Sequence, residues 1–398
     1  MKLANRTQAL QPSATLAMAA KAGAMRAQGI NVISFSTGEP DFDTPQVIKD
    51  AAKAALDAGF TKYTATGGIP ELKTAIVEKL QRDNKLNYLP ENILVTVGAK
   101  QAIFNALFAL VNPGDEVIVP APYWVSYPEQ IKLCGGVPVT PVCSEAENFL
   151  LSPEKLEQVI TAKTKVFILC SPSNPTGSAY SKDQLMQLGR VCAKHGVFVI
   201  ADEIYEHLVY DGFQQHSLAA LTPEFFANTL TINGVSKSFA MTGWRMGYAA
   251  GPKELIQKMQ ALQDQQTSNV TSFVQKGCVA ALNEAGSSIP LMREAFAKRR
   301  NLIVRLMREI PHVTCAMPQG AFYVLPNIRF YLDKKAPSGK ILGTAQQLAE
   351  FLLENAHIAA VAGDAFGAPD YLRFSYATSE KNIQEGVQKL KDCLLQFS

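Results

Sequence analysis

One lysine of this sequence lies where covalent chemistry is possible. Lys237 follows the apolar run TLTI and Gly234, and Arg245 comes eight residues later. A lysine at the edge of a sheet loses its proton readily when it is desolvated and close to other positive charge, and its neutral amine then attacks aldehydes to form a Schiff base. An isolated lysine in such a turn is usually a surface residue. Whether Lys237 is reactive instead must be judged from the residues around it.

Other polar groups follow predicted strands of the same sheet. Asn174 lies between two prolines after KVFILC, Asp202 and Tyr205 follow VFVIA, and residues 98–100 lie between ILVTV and a helical pattern. Ligands of open parallel sheets bind beyond the carboxyl ends of the strands. Each feature also has an ordinary explanation, namely a rigid turn, an acidic helix start and a strand-to-helix connection.

Taken together, these groups match the needs of pyridoxal phosphate. Its aldehyde requires an amine, and its ring nitrogen requires a carboxylate that keeps it protonated. Its phenolic oxygen requires hydrogen-bond donors, and its phosphate requires backbone N–H groups at a helix start together with an arginine. The sequence therefore predicts a site for this cofactor, with no metal ion.

The helices and strands that must position these groups predict an α/β fold. Residues 45–285 alternate short apolar runs with helical patterns, as in βαβ units around a mostly parallel sheet. The clearest helix starts at a capping box of Ser181 and Gln184 and ends at Gly196. The other predicted strands are NILVTV, DEVIVP, TLTING and RMGYAAG. After about residue 290 a charged helix and short strands indicate a smaller α+β domain.

Composition narrows the class of protein. The 398 residues are 47% hydrophobic and 18% charged, with a net charge of +3 and no dense block of lysine and arginine. This favours a globular protein with small-molecule partners over one that binds nucleic acid or a membrane surface. The seven cysteines include no Cys-x-x-Cys pair, which argues against a zinc site and favours a reducing compartment. No run predicts a signal peptide or a membrane span, so we expect a cytoplasmic location.

The lysine segment resembles a signature of the class I and II aminotransferases of the pyridoxal-phosphate fold type I group. It reads Gly234-Val-Ser-Lys237 and then Gly243-Trp-Arg245-Met-Gly247. The resemblance extends over nearly the whole chain, through STGEPDFDTP, KYTATGGIPELK, PYWVSYPE, SNPTG, DEIYEHL, GAFYVL and LRFSYATS. It implies a large cofactor domain at residues 43–288, a discontinuous small domain at 13–42 and 289–398 that closes on the substrate, an N-terminal arm at 1–12, and a homodimer.

The resemblance also implies roles for individual residues. Lys237 would bind the cofactor aldehyde and move a proton between the substrate α-carbon and C4′ of the cofactor. Asp202 would hold the ring nitrogen, and Tyr205 with Asn174 the phenolic oxygen. The other implied cofactor contacts are Gly98, Ala99, Lys100 and Arg245 at the phosphate, Trp124 on the ring face, and Tyr63 from a neighbouring subunit. Gly234 stands where many relatives have a phosphate-binding serine.

For the substrate, the resemblance implies that Arg373 binds the α-carboxylate, helped by the backbone at Gly38, by Asn174 and by Trp124. The best-studied aspartate aminotransferases read the distal carboxylate with an arginine of the other subunit. Here no arginine occurs between Arg245 and Arg293. A bacterial subgroup uses the lysine of a GGKQ or GAKQ motif instead.

This sequence has GAKQ, with Lys100 in that position, and Ser13 and Thr15 in a PSAT segment. The subgroup implies that these three residues read the distal carboxylate, with aspartate and 2-oxoglutarate as substrates and prephenate as a further possibility. An aromatic or kynurenine-type aminotransferase and a lyase on the same scaffold stay open. From a different class, a regulatory module that senses the cofactor also stays open.

Overall fold

Helices and strands alternate along the chain. The computed structural model describes residues 1, 3, 4, 7 and 10–398, so the predicted arm at 1–12 lies partly outside the described residues. Up to residue 160 the elements are α1 (Ala14–Ala27), β1 (Ile33–Ser34), α2 (Gln46–Asp57), α3 (Pro70–Lys79), β2 (Ile93–Thr96), α4 (Ala99–Leu110), β3 (Glu116–Ile118), α5 (Ser126–Leu133), β4 (Val137–Val139) and α6 (Pro153–Val159).

The later elements complete the central sheet and form two small ones. They are β5 (Thr164–Cys170), α7 (Lys182–His195), β6 (Phe198–Asp202), α8 (Pro223–Ala227), β7 (Thr229–Gly234), β8 (Gly247–Ala250), α9 (Lys253–Asp264), α10 (Ser272–Asn283), α11 (Ser288–Arg308), β9 (Tyr323–Val324), α12 (Arg329–Leu332), α13 (Ala345–Phe351), β10 (Ile358–Ala359), β11 (Val361–Ala362), β12 (Leu372–Ser375) and α14 (Glu380–Leu394). In the described part of the chain, no helix combines the length and apolar character needed to cross a bilayer.

The central sheet has seven strands in the order β2-β8-β7-β6-β5-β3-β4. Five neighbouring strands, β3 to β7, run parallel, and β8 is antiparallel to both β2 and β7. Most side chains on both faces of β5 to β7 are buried, and those of β5 and β6 are mainly apolar, which is why these two strands read as apolar runs. The predicted α/β fold with a mostly parallel sheet is confirmed.

The predicted boundaries of α7 are also confirmed. Ser181 Oγ accepts a hydrogen bond from the backbone N–H of Gln184 at 3.3 Å, and Gln184 Oε1 accepts one from the N–H of Ser181 at 2.9 Å. At the other end Gly196 has φ 65°, a left-handed conformation that ends the helix. Short-range sequence signals therefore determine where this helix begins and ends, and β6 starts two residues after Gly196.

The two small sheets combine β1, from the first part of the chain, with strands that follow residue 320. β1 pairs with β10, and β9 and β11 flank β12. One hydrophobic cluster joins residues 18–35 and 292–394, and it includes Tyr205 and Leu208 from beyond β6. The main sheet contributes separate clusters. The chain turns at residues 204–207 and starts no helix there, so the alternative interpretation of Asp202 and Glu203 as an acidic helix start is wrong.

Candidate active site

A cavity of about 350 Å³ opens at the carboxyl ends of the parallel strands. Its lining includes every site residue predicted from the sequence except Tyr63. In register, Cys170 of β5 pairs with Asp202 of β6, and Asp202 pairs with Ile232 of β7, so these strand ends meet at one edge. The fold thus brings together residues from positions 13 to 373 of the sequence.

Lys237 lies in this cavity and is half-buried. Its Nζ donates a hydrogen bond to the carbonyl oxygen of Gly38 at 2.6 Å. Burial is the main effect that lowers the pKa of Lys237 to about 8; the charges of Arg245 and Arg373 act in the same direction, and those of Glu39 and Asp202 oppose it. The neutral amine that attacks an aldehyde is therefore available close to neutral pH.

We expect apoprotein to capture the aldehyde of pyridoxal phosphate faster as the pH rises, with a plateau above about pH 8, because only the neutral form of Lys237 reacts. Stopped-flow absorbance measures this rate, and borohydride trapping followed by mass spectrometry assigns the adduct to position 237. Nα-acetyl-lysine, whose side-chain amine is free and has an ordinary pKa, serves as the control. An inflection near pH 10.4, the ordinary range of lysine, would contradict the shifted pKa.

Asp202 is 4% exposed. Its Oδ2 accepts a hydrogen bond from the hydroxyl of Tyr127 at 2.7 Å, and its Oδ1 accepts one from the N–H of Ile204 at 3.2 Å. Burial raises the pKa of Asp202, whereas these two bonds and the charge of Lys237 lower the pKa. A buried carboxylate held in this way is a suitable partner for a protonated ring nitrogen.

Two hydrogen bonds join the groups predicted to surround the phenolic oxygen to their neighbours. The hydroxyls of Tyr205 and Tyr323 are 2.8 Å apart, and Asn174 Oδ1 accepts from Arg373 Nη1 at 3.1 Å. Tyr323 comes from β9 and Arg373 from β12, so both contacts link the segments that follow β5 and β6 to the three-stranded sheet. Sequence reasoning quoted the segment of Tyr323 but assigned no role to it.

Arg373 is 1% exposed, so the alternative interpretation of this residue as a solvated strand residue is wrong. Its Nη2 donates to the carbonyl oxygen of Ser36 at 2.6 Å, and its guanidinium lies 4.7 Å from the ring centroid of Tyr323 and 5.0 Å from that of Phe366. Among the described residues, Nε has no hydrogen-bond partner and no carboxylate pairs with the guanidinium. A buried cation of this kind fits a carboxylate ligand.

The start of α4 forms an anion cradle. Gly98 has φ 78° and precedes the first-turn amides of the helix, and a Cβ on Gly98 would lie only 2.8 Å from Nη2 of Arg245. A Cβ on Gly247 would lie 2.4 Å from the N atom of Ala99, so glycine is required for β8 to approach α4. This donor set fits the phosphate of the predicted cofactor.

At Gly234 a side chain would be crowded, because its Cβ would lie 2.9 Å from Cα of Gly247. Ser236 lines the cavity instead. Of the cavity residues that sequence reasoning missed, Tyr127 and Glu39 also stand out: Glu39 Oε2 accepts from Thr242 Oγ1 at 2.8 Å. The sequence did contain one indication of Tyr127: it follows Trp124, a predicted site residue, by three positions, so the two side chains can lie close together.

Lys100 extends from the first turn of α4 toward Trp124, with its Nζ 4.9 Å from the ring centroid. Burial lowers the pKa of Lys100, and the nearby charge of Arg245 adds to the effect. Ser13 caps α1, where its Oγ accepts from the N–H of Leu16 at 3.5 Å, and Thr15 follows in the first turn. These residues lie along the cavity on the side of the N-terminal helix.

Tyr63 lies outside the cavity and is 93% exposed. Its predicted contribution comes from a neighbouring subunit, and a single chain does not test that contribution. Tyr63 therefore stays a predicted contact.

The fold and the groups of this cavity are those expected of an enzyme that uses pyridoxal phosphate. The family model for aminotransferase class I and II matches residues 30–390. The chain belongs to this family and is a pyridoxal-phosphate-dependent aminotransferase. The resemblance and the cofactor predicted from the sequence are confirmed.

Similar proteins cover almost the whole chain. An aspartate aminotransferase from Geobacillus stearothermophilus is 49% identical over 390 residues, which are 98% of each chain. An aspartate/prephenate aminotransferase from Cereibacter sphaeroides is 48% identical over 383 residues, which are 96% of each chain. The solved structure of an aspartate aminotransferase from Rhizobium meliloti superposes with a TM-score of 0.96 at 45% identity and covers 100% of both chains.

Proposed function

We propose that the protein transfers the amino group of L-aspartate to 2-oxoglutarate, which yields oxaloacetate and L-glutamate. The observation that carries this proposal is the position of Lys100, a cation in the same cavity as the buried Arg373. Two cations in one cavity suit a substrate with two carboxylates. The relatives named as aspartate aminotransferases support the same substrate class.

When bound, pyridoxal phosphate supplies an aldehyde and a ring that accepts electrons. Lys237 would hold the aldehyde carbon until the substrate amine takes its place, and its released amine would then move a proton from the substrate α-carbon to C4′ of the cofactor. Asp202 keeps the ring nitrogen protonated, while Asn174 and Tyr205 donate to the phenolic oxygen. The support for these roles is the buried carboxylate, the lowered pKa of the lysine and the proximity of all four groups to one cavity.

The other assignments follow the same arrangement. Arg245 and the amides of α4 bind the phosphate, Trp124 covers the ring, and Arg373 binds the α-carboxylate with help from Gly38. In this proposal Lys100, Ser13 and Thr15 bind the distal carboxylate. The unpaired Nε of Arg373 and the close approach of Arg245 to Gly98 support the two anion sites.

We also propose that residues 43–288 form a large domain and that 13–42 with 289–398 form a small domain that closes over the substrate and excludes water. The hydrophobic cluster shared by the two ends of the chain supports this division. We propose a homodimer in which Tyr63 reaches the phosphate of the neighbouring subunit, and a cytoplasmic location. The strong exposure of Tyr63 supports its availability to a second subunit.

Prephenate is a second candidate amino-group acceptor, since the relative from Cereibacter sphaeroides carries that name. Prephenate is also a dicarboxylate, so the same pair of cations suits it. Transfer of an amino group from aspartate or glutamate to prephenate would give arogenate.

Half-reactions with single substrates test the proposal. We expect aspartate, glutamate and, if prephenate is accepted, arogenate to convert the cofactor from its aldehyde to its amine form far faster than alanine, phenylalanine or tyrosine do. Absorbance of the bound cofactor gives each rate. Faster conversion by alanine or phenylalanine than by aspartate would refute the substrate assignment, and disappearance of the substrate with no amine form of the cofactor would indicate a lyase.

Replacement of Lys100 by alanine should lower kcat/KM for aspartate by about 10- to 100-fold, the range expected when one charge-assisted hydrogen bond is lost. The rate with alanine should change little, because alanine has no distal carboxylate. Lys100→Met keeps an apolar side chain of similar length beside Trp124 but removes the charge, and it should show the same selective loss as Lys100→Ala. Lys132→Ala removes an exposed lysine of α5 and is the matched control. Equal losses with both substrates would assign Lys100 to the phosphate.

A further inference from the structure

Asp202 has a buried partner to which the roles above assign no function. Tyr127 is 2% exposed and donates its hydroxyl to Oδ2 of Asp202 at 2.7 Å. The N–H of Ile204 occupies one site on Oδ1 at 3.2 Å. Because a carboxylate accepts about four hydrogen bonds, both oxygens retain capacity for a further donor. Tyr127 therefore fixes Asp202 without excluding a ring N–H group.

Tyr127 lies in the first turn of α5 and is held by Trp124, which precedes this helix by two residues. The N–H of Tyr127 donates to the carbonyl oxygen of Trp124 at 3.0 Å, and the two rings meet edge to face with centroids 5.3 Å apart. The start of α5 thus positions the ring of Trp124 at the cavity wall and the hydroxyl of Tyr127 against the carboxylate of Asp202.

The surroundings of Asp202 otherwise oppose its charge. Burial is the largest effect and raises the pKa of Asp202, and the hydrogen bond from Tyr127 is the largest effect that lowers this pKa again. The Ile204 amide and the charge of Lys237 contribute less. A protonated, neutral carboxyl group would not favour a protonated ring nitrogen. The ionisation state of Asp202 therefore determines whether the site stabilises the protonated form of that nitrogen.

We propose that Tyr127 is a positioning residue that keeps Asp202 ionised and directed at the ring nitrogen of pyridoxal phosphate. This inference rests on the role proposed for Asp202. Tyr127 acts through Asp202 and does not contact the substrate. Its loss should therefore affect ligands that have the ring nitrogen and spare those that lack it.

The test measures binding to apoprotein. Pyridoxamine 5′-phosphate, which binds without a covalent bond to Lys237, is compared with its analogue in which a C–H group replaces the ring nitrogen. The Kd of the carbon analogue divided by the Kd of pyridoxamine 5′-phosphate gives a ratio that reports the contribution of the ring nitrogen. Tyr127→Phe should reduce this ratio about tenfold and leave the Kd of the carbon analogue unchanged, because phenylalanine keeps the ring packing and removes only the donor.

Tyr180→Phe is the matched control. Tyr180 is 4% exposed, its hydroxyl accepts from the N–H of Leu151 at 2.8 Å, and it lines the same small cavity as Tyr127. This variant should leave the ratio unchanged. A difluorotyrosine at position 127, which is a stronger donor, should preserve or raise the ratio and provides a second variant with native packing.

Asp202→Asn separates the two proposals. If this variant leaves the ratio unchanged, the role proposed for Asp202 fails and the inference about Tyr127 fails with it. If Asp202→Asn lowers the ratio but Tyr127→Phe does not, or if Tyr127→Phe weakens both ligands equally, only the inference about Tyr127 is overturned. A lower ratio in both variants, with a normal ratio in Tyr180→Phe, supports it.

Discussion

Replacement of Lys237 by alanine is expected to slow amino-group transfer from aspartate by about 10⁴-fold, the upper range for loss of a positioned acid–base group. The expected loss is large because, among the described residues that line the cavity, only Lys237 is a lysine whose Nζ contacts Gly38 and whose pKa is lowered to about 8. Without this amine the group proposed to accept the proton of the substrate α-carbon is lost.

Lys237→Arg is the informative companion variant. It keeps a positive charge at this position, but the guanidinium stays protonated and is a poor nucleophile, so we expect a comparable loss. Single-turnover rates with aspartate give the size of the effect. In the wild-type protein, borohydride should yield a reduced cofactor adduct at position 237. A rate within tenfold of wild type, or an adduct at another lysine, would contradict this assignment.

Replacement of Asp202 by alanine is expected to lower the transfer rate by about 10²- to 10³-fold, the size found when one preorganised electrostatic contact is removed. The cofactor should still join Lys237, because the amine and the phosphate cradle are untouched. The loss arises because an unprotonated ring is a weaker acceptor of electrons. Absorbance of the bound cofactor and single-turnover kinetics separate binding from rate.

The isosteric variant Asp202→Asn tests whether charge causes this effect. Its amide oxygen can still accept from Tyr127, so the packing is retained while the charge is lost. We expect a rate close to that of Asp202→Ala. Asp333→Asn, which changes an aspartate with 64% side-chain exposure that pairs with Arg329, should have no effect. A near-normal rate in Asp202→Asn would mean that the carboxylate does not hold the ring nitrogen.

Local patterns in the sequence were sufficient for much of the fold. The six strands predicted for the central sheet all lie in it, because burial of most of their side chains favours apolar and β-branched residues. The capping box of Ser181 and Gln184 located the start of α7 because the hydrogen bonds of a cap involve residues only three apart. In these elements short-range interactions decide the structure.

The lysine signature and the residues after each strand also located the cavity, since parallel strands end at one edge of a sheet. The contacts inside the cavity were not accessible in this way. Tyr127 and Asp202 are 75 residues apart, and Tyr205 and Tyr323 are 118 apart. No local propensity records such pairs.

By itself, then, the sequence determined the strands, the helix ends, the aminotransferase family and the cofactor, because each depends on short motifs or on burial of a whole segment. The tertiary structure alone decided which side chains meet. It placed Arg373, which belongs to an alternating strand with the pattern of a solvated one, at 1% exposure between two aromatic rings, and it placed Tyr127 behind Asp202. These contacts depend on the packing of distant elements, and that packing sets the charge and direction of the catalytic groups.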